Sequence, residues 1–189
     1  MKQIILVLVA VATLAGITTF KSRTSRSAVT QDATPIYGIK IPPEYRDWHM
    51  VSIANVGEPV NDLRVKLGND LAIKAFREGT PFPDGAIIAR LAYRAITSAE
   101  NNKVFRAAAE KQGLAPDLIT KLLAGSMVAG SPTNVQFMVK DSKKYPATGG
   151  WGFAQFTDGK PDGEAVHQTC FSCHSPAKDQ DFVFTRYSP

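Results

Sequence analysis

The chain has 189 residues, a mass of 20.5 kDa and a formal net charge of +5. Its 44% hydrophobic and 21% charged residues are ordinary globular composition, which excludes a disordered, fibrous or multi-spanning membrane protein. Two cysteines exclude a disulfide-dense miniature scaffold, and the length suits one domain with a core of its own.

The basic charge is concentrated at the N-terminus. Lys2, Lys21, Arg23 and Arg26 precede the first acidic residue, Asp32, and taking those four from the 22 basic residues leaves 18 against 17 acidic ones. A nucleic-acid-binding protein carries its basic residues on a folded face, so no nucleic-acid partner is expected. Within residues 1–20, the apolar run Ile4–Phe20 behind Lys2 reads as a signal peptide or N-terminal anchor and implies export. Residues 21–40 are rich in Ser, Thr and Ala and are expected to form a flexible linker, with the folded domain spanning 41–189.

Strands are expected at Trp48–Val56 and, from its alternation, at Leu63–Leu67. Asn69 or Asp70 can cap a short helix through Phe76, closed by Gly79. After the Asp84-Gly85 turn, Ala86–Ile96 reads as a β-branched strand. Val104–Glu110 and Pro116–Leu123 read as helices, Pro116 being suited to a first turn. Asn134–Lys140 and Trp151–Phe156 alternate as strands, and Asp181–Tyr187 is a last strand or extended segment. The class is α+β: a mainly antiparallel sheet with a few helices and a C-terminal attachment helix or loop.

That attachment rests on Cys170-Phe171-Ser172-Cys173-His174, the C-x-x-C-H pattern. Two thiols at this spacing add across the two vinyl groups of one porphyrin, and the following histidine supplies an axial imidazole to the iron. Cys170, Cys173 and His174 are therefore the candidate ligands of one covalent haem c. A thiol redox pair lacks the βαβ context, a disulfide would close a very short loop, and a zinc site would need His167 with the same three residues. His167 and His49 read as structural or surface residues.

With that motif in place, residues near 42–189 resemble the cytochrome P-460 family, which includes the cytochrome c′-beta proteins. The matching pieces are Pro43-Glu44-Tyr45-Arg46-Asp47-Trp48, Phe82-Pro83-Asp84-Gly85, Val139-Lys140-Asp141-Ser142-Lys143-Lys144-Tyr145, Trp151-Gly152-Phe153, the haem motif and Asp181-Phe182-Val183-Phe184-Thr185. The resemblance implies a mono-haem c-type cytochrome, often a homodimer, with His174 as proximal ligand and an open distal side; the export segment implies a periplasmic location. It further implies either binding of a small gas or nitrogen-oxide ligand or oxidation of hydroxylamine by members whose porphyrin is cross-linked to a lysine. Counting from Asp84-Gly85, that lysine position falls on Arg90, whose guanidinium stays protonated and is no nucleophile. Lys74 and Lys103 are nearby substitutes without support. Arg90 is instead a candidate distal residue that bonds a ligand or a haem propionate, or else a solvated strand residue.

Three readings stay open: a five-coordinate gas or nitrogen-oxide binder, with or without turnover; a hydroxylamine-type oxidoreductase; and a six-coordinate electron carrier serving a redox partner protein. Phe76, Phe82, Phe137 and Phe153 are candidate distal caps or core residues. Met50, Met127 and Met138 are candidate sixth ligands or core fillers. Asp141, Lys143 and Lys144 suggest a solvated turn, and Glu44 and Asp47 would relay protons only if buried near the iron.

Overall fold

The computed structural model describes residues 32–188. The signal or anchor expected over 1–20, and the linker up to residue 31, lie outside the described residues. Among the described residues, no helix is long and apolar enough to cross a membrane.

Strands β1 (His49–Val56), β2 (Asp62–Gly68), β3 (Ile87–Ile96), β4 (Val128–Lys140), β5 (Trp151–Thr157) and β6 (Lys160–Pro161) form one antiparallel sheet in sequential order. Helix α1 (Asp70–Glu78) links β2 to β3, α2 (Ala99–Lys111) and α3 (Pro116–Ala124) link β3 to β4, and α4 (Glu164–His174) follows β6. The α+β class is the expected one. Helix α1 starts where Asn69 Oδ1 accepts from the Ala72 amide at 3.0 Å and ends on left-handed Gly79. The same Asn69 oxygen accepts from Ile87 N at 3.0 Å, so one side chain fixes both the helix start and the entry to β3.

The core is aromatic. Trp151, Phe137 and Phe156 are fully buried, with edge-on contacts between Phe82 and Trp151, Tyr45 and Phe137, and Phe137 and Phe156. Gly152 makes room for the Tyr145 ring, which a Cβ there would meet at 2.5 Å; the Tyr145 hydroxyl donates to Tyr37 O at 2.9 Å.

Two expectations are corrected. The linker assigned to 21–40 ends before Thr34: Ile39 N donates to Thr34 Oγ1 at 3.1 Å, and Tyr37 and Ile39 are buried in the core. Isolated apolar anchors in a tight turn carry no periodicity, so composition alone misses them. Of the two readings of Asp181–Tyr187, a last strand or an extended segment, the strand is overturned, since the segment joins no sheet. Asp181 and Phe182 take left-handed φ values of 49° and 63°, which an extended strand does not allow. Side-chain bonds to Asp181 hold the bend: its carboxylate accepts from Lys140 Nζ at 2.6 Å, Phe82 N at 3.1 Å and Trp151 Nε1 at 3.2 Å.

Helices α2 and α3 enclose a small core of Ala109, Ile119 and Leu123. None of their residues lines the large cavity described next.

Candidate haem site

Helix α4 carries Val166, Thr169, Cys170, Cys173 and His174 on one face, because residues three and four apart stack along a helix. All five line a cavity of about 790 Å³ between this helix, the sheet and the C-terminal segment. Cofactor sites fall in the range of roughly 300–1,000 Å³. His167, two turns before His174 on the same helix, does not line the cavity and is fully buried. Its Nδ1 lies 3.0 Å from Gly163 O, which can only accept, so Nε2 is left to accept from Gln155 N at 3.1 Å. His167 thus pins α4 to β5 and holds no metal. Among the described residues no cluster of three metal-ligating side chains is found, and both His167 nitrogens are taken by backbone groups, so the four residues of the zinc alternative do not converge.

His174 is oriented the same way. Its Nδ1 is 2.8 Å from Phe182 O, so Nδ1 carries the proton and Nε2 keeps its lone pair. The ring sits between Phe153 and Phe184, with centroids at 5.0 Å and 5.1 Å. Burial, opposed by the bond to Phe182 and helped by the charge of Arg90, lowers its pKa and keeps it the neutral imidazole that an iron requires. Both cysteines are free thiols, and burial, with Cys173 adding to it, raises the pKa of Cys170.

The sheet supplies the other wall. Register places Ser52, Lys66, Arg90, Gln136 and Gln155 in one transverse row across β1 to β5, on one face. All five line the cavity. Arg90 therefore faces the site and is no solvated strand residue. Its NH2 donates to Asn134 Oδ1 at 2.5 Å, and burial, followed by the neighbouring Arg64, pulls its pKa down to about 10. Gln136 donates to Gln155, which in turn donates to Asp162 Oδ2 at 2.5 Å.

The other candidates divide. Phe137, Phe153 and Met138 line the cavity, whereas Phe76 and Phe82 form a separate edge-on pair. Met50 and Met127 are exposed and do not line it; neither do Glu44 and Asp47, which are exposed. Asp141 Oδ1 accepts from the amides of Lys143 and Lys144, the expected turn. Lys74 belongs to a different, small surface pocket, and Lys103 is exposed on α2.

Sequence reasoning passed over Lys66, Arg64, Arg186 and Phe184, which also line the cavity. The signal for the first two was present: Leu63–Leu67 alternates, so Arg64 and Lys66 must share a face. Burial first, then Arg64 and Arg90, lower the pKa of Lys66.

Two thiols and one lone-pair imidazole on a single helical face, over a cavity of cofactor size, define a haem-binding α+β protein. The buried Nε donors of Arg64 and Arg90 lack partners, which fits a group bearing carboxylates. The chain belongs to the cytochrome P460 family, whose model matches residues 42–185. No curated protein matches it. Haem supplies an iron that exchanges an electron and binds small ligands. The residues that would hold it are Cys170 and Cys173 through their sulfurs and His174 through Nε2.

Proposed function

We propose that this chain is an exported mono-haem c-type cytochrome whose iron is five-coordinate and binds or turns over a small gas or nitrogen-oxide ligand. The observation that carries this reading is the single orientation of His174, with Nε2 presented to a cavity shared with both thiols. Cys170 and Cys173 would hold the porphyrin as thioethers, each S–H adding across one vinyl group with no leaving group to release. Ile88, Met138 and Phe153, a second row on the same sheet face, keep the cavity wall partly apolar, which limits water and favours small ligands. The apolar run of residues 4–20 supports a periplasmic location. Exposed Val104, Phe105, Leu118 and Leu122 on α2 and α3 support self-association as a homodimer.

Absorption spectra of the ferric, ferrous and ferrous-plus-carbon-monoxide forms, with a pyridine haemochrome, test the proposal. A c-type haemochrome and a high-spin ferrous form that takes up carbon monoxide are expected. A low-spin ferrous form inert to carbon monoxide refutes it.

One observation favours a second reading, a six-coordinate electron carrier that serves a redox partner protein: Met138 lines the cavity. The hydroxylamine-type oxidoreductase is disfavoured by arginine at position 90. An intact mass of polypeptide plus one unmodified haem, and no electron uptake from hydroxylamine, are the expected results.

A further inference from the structure

The cavity wall is unusual in its charge. Arg64, Lys66, Arg90 and Arg186 line it, and among the described residues no aspartate or glutamate does. Asp62 stands beside it and is engaged by Arg64 NH2 at 3.3 Å. Arg90 has only the neutral Asn134 amide oxygen, and its buried Nε has no acceptor. Lys66 forms no ion pair among the described residues. Lys66 and Arg90 are direct cross-strand partners, an arrangement in which like charges repel. Two carboxylates of a bound haem would answer two of the four cations, and Asp62 offsets one more. The site stays positive, and a ferric iron adds to it.

We propose that Arg90 and its cross-strand neighbour Lys66 make the cavity a site for small monovalent anions at the ferric iron. This rests on the five-coordinate reading above. An anion between the two side chains relieves their repulsion and gives the buried guanidinium an acceptor. Buried, these charge-assisted bonds are screened less than exposed ones. Burial first, and then the positive charges of Arg64 and Arg90, lower the pKa of Lys66.

The test uses ferric holoprotein of the full chain, titrated with azide and with nitrite, and with imidazole as a neutral probe, at fixed ionic strength. The thioether links keep haem in place in the variants. Arg90→Gln and Lys66→Gln should each weaken azide and nitrite binding by about tenfold. Imidazole affinity should stay within about twofold, and Arg90→Lys should restore most of the anion affinity. Unchanged anion affinity in both variants, or parallel changes for imidazole and the anions, overturns the proposal and assigns the cations to the haem carboxylates. Imidazole binding without charge dependence of the anions thus sinks only this inference. A wild-type protein that takes none of the three probes sinks the five-coordinate reading as well.

Discussion

His174 and Phe182 are eight residues apart and joined by one hydrogen bond of 2.8 Å, from the imidazole Nδ1 to the backbone carbonyl. The bond sets which ring nitrogen is free, and the carbonyl is aimed by the left-handed turn at Asp181 and Phe182. The orientation of His174 therefore depends on a segment outside the C-x-x-C-H motif.

Gly149→Ala tests that dependence. A Cβ at Gly149 would collide with the Phe182 ring, and Gly149 itself has φ of +67°. Overpacking of this kind costs about 1–3 kcal/mol. The expected outcome is a lower urea midpoint together with a broadened or shifted Soret band. A stability loss with an unchanged spectrum would show that His174 does not rely on Phe182.

Asp181→Ala removes the acceptor of Lys140, Phe82 N and Trp151 Nε1. Hydrogen bonds to charged groups contribute about 1.5–3 kcal/mol each, and the orphaned Lys140 ammonium can turn to solvent, so a net loss of about 2–3 kcal/mol is expected. Chemical denaturation measures it. A change under about 0.5 kcal/mol would place the bend's stability elsewhere.

Replacing Cys170 and Cys173 by alanine should make any haem extractable with acid–acetone. Haem that resists extraction in the double variant would refute thioether attachment. His174→Ala should alter the ferrous carbon monoxide spectrum, and an unchanged spectrum would assign the axial bond to another residue.

Met138→Leu separates the two coordination readings. Leu and Met exchange at a cost of less than about 1.5 kcal/mol, so the fold should survive. With a five-coordinate iron the ferrous spectrum is unchanged. Conversion from low spin to high spin would establish Met138 as sixth ligand.

Asp84 gives a pH-dependent test away from the haem. Its carboxylate accepts from Ser142 Oγ at 2.7 Å and Ser142 N at 2.8 Å, which holds its pKa below the usual value. A carboxyl with a depressed folded pKa adds stability that is fully present above the unfolded value of about 3.9 and is lost as pH falls through the folded value. The Tm difference between wild type and Asp84→Ala should therefore be largest near neutrality and shrink below about pH 4. A difference independent of pH would show that the ionised form is not the one that matters.

Local pattern carried much of this protein into view. Asn69, Gly79 and Pro116 mark helix ends because capping is a short-range matter of one side chain and the nearest free amides or carbonyls. Strands β2, β4 and β5 follow from alternation, β3 from β-branched composition and β1 from the lack of a helical stripe, and the Cys170–His174 spacing is the pattern of haem attachment. Arg90 was legible as a position in a strand, but not as a residue on the cavity face. That required knowing that Lys66, Gln136 and Gln155 stand beside it, which is a matter of register.

By itself the sequence determined most of the elements, the class and the C-x-x-C-H motif, because each depends on residues close together along the chain. Tertiary structure decided the rest. It drew Tyr37 and Ile39 into the core, turned His167 to β5 and His174 to the cavity, and set Arg64, Lys66, Arg90 and Arg186 around one space that no acid among the described residues lines. Those relations join residues up to 122 positions apart, from Arg64 to Arg186. Only the packed chain brings such residues together, since burial and charge at a site depend on all the elements that surround it.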